Sequence, residues 1–195
     1  IVSGALLIYR DRVIARAARF GNFVAMYGSA NPIGTPNFMP VAWSVETWAL
    51  GADGVVPWQT IGKPAAWKTR DDLSLFYPTA SGPVPSLRLK SFRSGQQLVE
   101  YLTMFTVLSG QSRAAVGSAV LAETGLRSTL EKLTERDAGT LRYERGMAQA
   151  LEVLRLRLGA WLDDRAPATR DAWYDPRPRR HDPNRVPEIT PLPQP

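Results

Sequence analysis

Residues 23–58 read FVAMYGSANPIGTPNFMPVAWSVETWALGADGVVPW, and the order of apolar runs and breaks within them decides the fold class. Phe23-Val24-Ala25-Met26-Tyr27 is a continuous apolar run, which suits a strand covered on both faces, as in a parallel sheet. A long polar loop from Gly28 to Pro40 follows, containing Gly28, Ser29, Asn31, Pro32, Gly34, Pro36 and Asn37. Val41 to Leu50 then reads as a helix stopped by Gly51. Asp53-Gly54 turns the chain into a second short apolar strand, Val55-Val56-Pro57-Trp58. Strand, loop, helix, strand is the alternation of a parallel α/β fold.

The pattern extends in both directions. Ala5 to Arg19 places Leu6, Ile8, Val13, Ile14 and Ala17 among arginines, the mark of a surface helix laid on an apolar layer; Gly21-Asn22 ends it. After the loop Gln59 to Arg70, Leu73 to Tyr77 reads as a third strand, ended by Pro78. Pro85 to Leu108 predicts a long helix in which Gly95 marks a kink or a break. Arg113 to Thr124 predicts another, stopped by Gly125. Tyr143 to Leu162 predicts the last, with Met147, Leu151, Leu154, Leu158 and Trp161 forming one apolar stripe. From Asp163 onward eight prolines fall in thirty-three residues, too little apolar surface to offset ordering, so residues 164–195 are expected to be a Pro-rich, disordered or extended tail. Residues 1–163 form the folded domain in this reading.

Composition removes several function classes. No cysteine is present, which excludes disulfides, thiolate nucleophiles and Cys-based zinc sites. The single histidine, His181, lies in the Pro-rich tail, so no His–His metal pair can form and a Ser–His triad is disfavoured. The net charge of +6 invites a nucleic-acid reading. The arginines are scattered and locally balanced, as in Arg142-Tyr143-Glu144-Arg145, so no nucleic-acid partner is expected. No apolar stretch reaches eighteen residues, and no membrane span is expected. No metal or organic cofactor is indicated. The chain opens at Ile1 without a signal-peptide pattern, and the expectation is that more of the protein lies upstream. The compartment stays open, with a periplasmic or secreted parent among the options.

From Asp71 a family pattern emerges. Asp72-Leu73-Ser74-Leu75-Phe76-Tyr77-Pro78, then Pro85-Ser86-Leu87-Arg88-Leu89, then Phe92-Arg93-Ser94-Gly95-Gln96-Gln97-Leu98-Val99-Glu100-Tyr101-Leu102 resembles the C-terminal region of the catalytic domain of glycoside hydrolase family 123 and related barrels of unassigned function. Asp53-Gly54-Val55-Val56-Pro57-Trp58 is similar to a strand end of that family. The resemblance spans roughly residues 20–110 and departs from the pattern at Lys90 and near Ser94, where the family has acids, and at Leu98, where it has an aspartate.

The resemblance implies the C-terminal part of a (β/α)8 TIM-type barrel, followed by packed helices. A complete barrel takes roughly 250 residues, so only a part fits here. Sites in such barrels gather at the C-terminal ends of strands. The expected sugar-facing residues are therefore Tyr27, Ser29 and Asn31 after the first strand, and Trp58 and Gln59 after the second. An aromatic ring can cover the C–H face of a pyranose while amides and hydroxyls bond its hydroxyl groups. Trp58 could equally fill the mouth of the fold as a core residue; Asn31 and Gln59 could simply cap turns. Trp43, Trp48 and Trp67 suit packing between helix and sheet.

The implied activity is hydrolysis of N-acetylhexosaminides by a substrate-assisted retaining mechanism that uses an adjacent Asp–Glu pair. No Asp-Glu dipeptide exists here. The acidic pairs are Asp71-Asp72 and Asp163-Asp164, and Glu46 lies mid-helix, solvated or paired. No catalytic residue is therefore assigned within the chain. The implied partners are a carbohydrate substrate and the missing N-terminal part of the same barrel. The alternative is a non-catalytic carbohydrate-binding or structural module.

Overall fold

The computed structural model describes residues 1–2, 5–62, 64–69, 71–130 and 141–165. In chain order it contains α1 (Ala5–Phe20), β1 (Ala25–Gly28), α2 (Phe38–Ala49), β2 (Gly54–Pro57), a short 3-10 turn (Pro64–Trp67), β3 (Phe76–Thr79), β4 (Gly82–Pro85), α3 (Leu87–Ser109), α4 (Arg113–Thr124), β5 (Thr129–Leu130), β6 (Leu141–Arg142) and α5 (Met147–Asp163). From residue 166 the Pro-rich tail, with Trp173, Tyr174 and His181, lies outside the described residues, as does the side chain of Trp67.

α2 is the centre of the molecule. Its sequence is mostly apolar, interrupted by Ser44, Glu46 and Thr47, and Met39, Pro40 and all residues from Ala42 to Ala49 are buried, as expected of a helix enclosed by others. α3, α4 and α5 all pack against it. Trp43 at its middle is fully buried and meets Phe92 of α3 edge to face, with ring centroids 5.8 Å apart. The last carbonyls of α2 are satisfied by cations from two other helices. Arg10 Nε donates to Leu50 O at 2.9 Å, and Arg113 of α4 donates to Trp48 O at 2.9 and 3.1 Å and to Ala52 O. Cations at a helix C-terminus also oppose its dipole.

The parallel pairing read from residues 23–58 is present: β1 and β2 run side by side, with Ala25 opposite Gly54 and Gly28 opposite Pro57. Val2 adds a single parallel bridge to Met26 on the other edge of β1. The barrel is not. The described strands form three two-stranded sheets, and no barrel closes among them. The expected third parallel strand is instead one arm of a hairpin, in which β3 runs antiparallel to β4 with Pro78 opposite Pro83. Proline lacks the N–H that a further ladder needs, so this hairpin does not extend the β1–β2 sheet. Most of the other described residues are helical, and together they form a small mixed assembly of five helices and short strand pairs.

Gly95 causes neither kink nor break, for α3 runs unbroken from Leu87 to Ser109. The residue is small because α3 lies against α2 there. A Cβ at Gly95 would come within 2.7 Å of Ser44 Oγ and 3.1 Å of Val41 Cα. Gly117 plays the same part in α4, where a Cβ would lie 2.5 Å from Ala49 O.

Glu46 is neither solvated nor ion-paired to a described cation. Only 3% exposed, it accepts from the Ser128 N–H at 2.8 Å and from the Tyr143 hydroxyl at 2.6 Å. Tyr143 precedes α5 and does not begin it, and so ties the chain after β6 to the central helix. Burial and the neighbouring Glu46 carboxylate push the Tyr143 phenol well above its ordinary 10.0. Because the folded value is raised, the protonated phenol favours the folded state. Its contribution is complete below pH 10 and is lost as pH rises toward the folded value. Tyr143→Phe is expected to lower stability by about 1.5–3 kcal/mol at neutral pH, the range for a hydrogen bond to a charged group. It should also flatten the loss of stability above pH 10. Urea unfolding across pH checks both.

Candidate functional site

The C-terminal ends of β1 and β2 meet at Tyr27 and Trp58. Tyr27 is the third residue of β1, and Trp58 follows directly after β2, its N–H bonded to Gly28 O at 2.8 Å. The two rings meet edge to face at 81°, with centroids 5.8 Å apart, a favoured aromatic geometry. Tyr27 is half-buried, whereas Trp58 is 47% exposed and presents much of its ring to solvent. Core filling therefore does not describe Trp58.

Gln59 is half-buried beside this pair and donates through Nε2 to Asp71 Oδ2 at 3.3 Å. Asp71 Oδ1 accepts the N–H groups of Leu73 at 2.9 Å and Ser74 at 2.8 Å, the local turn that an aspartate makes with its own following backbone. Burial alone raises the carboxyl, but these hydrogen bonds outweigh it and hold Asp71 below its ordinary 3.8. The group is thus an anion throughout the neutral range. Gly62 closes in on the same carboxylate: a Cβ there would fall 2.5 Å from Asp71 Oδ2 and 2.6 Å from its Cγ. Gly62→Ala should therefore push Asp71 off Gln59 and cost about 1–3 kcal/mol, as overpacking does. Urea unfolding measures the cost, and the Gln59 amide signals report the displaced carboxylate.

The other two expected residues lie inside. Ser29 is buried, and its carbonyl accepts the Leu141 N–H at 2.8 Å. Asn31 is fully buried; its Nδ2 donates to Leu73 O at 2.6 Å and Trp58 O at 3.4 Å. Asn31 thus holds together the loops that follow β1 and β2. The structure brings Tyr27, Trp58 and Gln59 to one surface and leaves Ser29 and Asn31 beneath it.

Two residues of this region were not assigned a role from sequence. Asp71 is one; the signal was an aspartate two and three residues ahead of the N–H groups it binds. Arg88 of α3 is the other. Its buried guanidinium donates to Asn31 O at 3.0 Å, Asp72 O, Ser74 O at 2.5 Å and the Tyr77 hydroxyl at 2.5 Å. It clamps both loops and β3 from below, and its appearance in the Pro85–Leu89 motif was the available clue.

Chemically, the surface offers an exposed indole, a phenol ring, an amide and a carboxylate. Asp72 is occupied by the Ile33 N–H at 3.0 Å, while Asp163 and Asp164 stand exposed at the end of α5. Among the described residues no group of three His, Cys, Asp or Glu side chains could hold a metal ion, and no helix is long and apolar enough to cross a membrane. No protein-family model matches the chain, and no curated protein matches it at a significant level.

Proposed function

We propose that this chain supplies a sugar-binding surface of a glycoside hydrolase acting on N-acetylhexosaminides, with the catalytic Asp–Glu pair provided by polypeptide outside residues 1–195. The observation that carries the reading is the half-exposed Trp58, braced by Tyr27 and flanked by the Gln59–Asp71 pair. The indole covers the C–H face of a pyranose. The Asp71 carboxylate and the Gln59 amide bond its hydroxyl groups. In a substrate-assisted reaction the acetamido oxygen of the sugar attacks its own anomeric carbon, a carboxylic acid protonates the leaving oxygen, and a neighbouring carboxylate orients the acetamide.

Asp71 cannot be that acid, because a carboxyl held below 3.8 carries no proton to give at neutral pH. The same observation favours a second reading, a carbohydrate-binding module with no hydrolytic partner. Chromogenic N-acetyl-β-glucosaminide and N-acetyl-β-galactosaminide separate the outcomes. The isolated chain is expected to bind one of them saturably and release no chromophore, whereas a longer protein containing it should cleave that substrate. Release of chromophore by residues 1–195 alone contradicts the absence of a catalytic acid. Binding without cleavage by any longer form leaves the binding-module reading standing.

A further inference from the structure

β2 is less covered than a parallel strand of its composition should be. Parallel strands are apolar because they are enclosed. β1 meets that condition, with Ala25, Met26 and Gly28 buried. β2 is equally apolar, yet Gly54, Val55, Val56 and Pro57 all remain partly exposed. It pairs with β1 along one edge, and no described strand lies along the other.

A groove of about 750 Å3 opens beside β2, between it, α2 and α3. Trp48, Val55, Pro57, Leu89, Phe92 and Val99 give it an apolar lining. Its rim is charged. Asp53 on one side is neutralised by Arg113 at 3.4 Å. Lys90 and Arg93 on the α3 side are exposed, and neither side chain meets a carboxylate among the described residues. The uncompensated charge at the groove is therefore positive.

We infer that this groove and the free edge of β2 receive an extended strand of a separate partner polypeptide, apolar toward the groove and carrying a carboxylate against Lys90 and Arg93. A free strand edge offers backbone N–H and C=O groups, which another strand satisfies and a compact small molecule does not. Alternate side chains of the added strand enter the groove and complete the enclosure that β2 lacks. The carboxylate meets the two free cations and fixes the direction of the strand.

The test is fluorescence anisotropy with a labelled octapeptide that alternates valine and threonine and carries one glutamate. Saturable binding with a Kd of about 0.1 mM or tighter is expected. The double variant Lys90→Glu, Arg93→Glu, altered only at exposed positions, should weaken binding about tenfold, the effect of two surface ion pairs. N-methylation of alternate peptide amides should abolish it, since the edge would lose its backbone partner. Circular dichroism confirms that the variant is folded. No saturation by about 1 mM overturns the proposal, as does equal binding of the N-methylated peptide. Sedimentation showing a dimer that Val55→Arg dissociates also overturns it, making a second copy the occupant.

Discussion

Arg88→Ala is expected to lower the unfolding free energy by about 3–4 kcal/mol, a large share of the 5–15 kcal/mol typical of a domain. The guanidinium is buried and donates to three main-chain carbonyls and one phenol in two loops and a strand. Alanine leaves those carbonyls unpaired, two of them on the fully buried Asn31 and Ser74, and the desolvation cost of unpaired buried groups exceeds the net value of the bonds themselves. Arg88→Met keeps most of the volume and should lose nearly as much, which separates hydrogen bonding from packing. Arg88→Lys keeps the charge but not the fork that reaches Asn31 and Ser74 together, so it should recover less than half. Urea unfolding with an unchanged m-value measures all three. A loss under about 1 kcal/mol in Arg88→Ala would show that the loops are held by something else.

The second large effect lies on the far side of α2. Gly117→Val puts a branched side chain where a single Cβ already sits 2.5 Å from Ala49 O and 3.0 Å from Ala49 Cα. Those are backbone atoms of a helix enclosed on all sides, so neither can move aside cheaply. The expected loss is about 3 kcal/mol or more, at the upper end of overpacking costs. Gly117→Ala should lose less, because alanine recovers about 1 kcal/mol of helix propensity. Gly95→Ala should be milder again: its Cβ would meet Ser44 Oγ at 2.7 Å, Ser44 Cβ at 2.9 Å and Val41 Cα at 3.1 Å, whereas at Gly117 every close contact is backbone, the nearest at 2.5 Å. Thermal unfolding should rank the three in that order.

Much of the local structure could be read from residue spacing. The apolar stripe of residues 147–161 corresponds to α5, and the two apolar runs of residues 23–58 are the parallel pair β1 and β2. α2 begins at Phe38, earlier than Val41, because Pro40 falls within the first turn, where its missing N–H is not needed. Long-range contacts were hidden. Pro78 reads as the end of a third strand, yet it lies inside β3, because a separate two-stranded hairpin tolerates it. Gly95 looked like an interruption because the helix it touches lies about fifty positions earlier in sequence.

The site divides along the same line. That Tyr27, Trp58 and Gln59 share one surface was legible because they stand at or just after the ends of two apolar runs that pair in parallel. Ser29 and Asn31 have the same local signature, yet their loop folds inward onto Leu73, Arg88 and Leu141. No local pattern records a contact between Asn31 and Arg88, fifty-seven positions apart. Glu46 is the same case, an acid within an apolar helix whose partners Ser128 and Tyr143 lie 82 and 97 positions away.

The most direct measurement is the indole N–H signal of Trp58 in a nitrogen–proton correlation spectrum, assigned by its loss in Trp58→Ala and followed during titration with N-acetylglucosamine and N-acetylgalactosamine β-glycosides. A saturable shift of that signal is expected with one of the sugars. Trp58→Ala should weaken binding by about 2 kcal/mol, roughly thirtyfold, while the protein stays folded at a cost of about 1 kcal/mol for the lost Tyr27 contact. A Trp58 signal unmoved by either sugar, or binding undiminished in Trp58→Ala, would contradict a sugar site at the ends of β1 and β2.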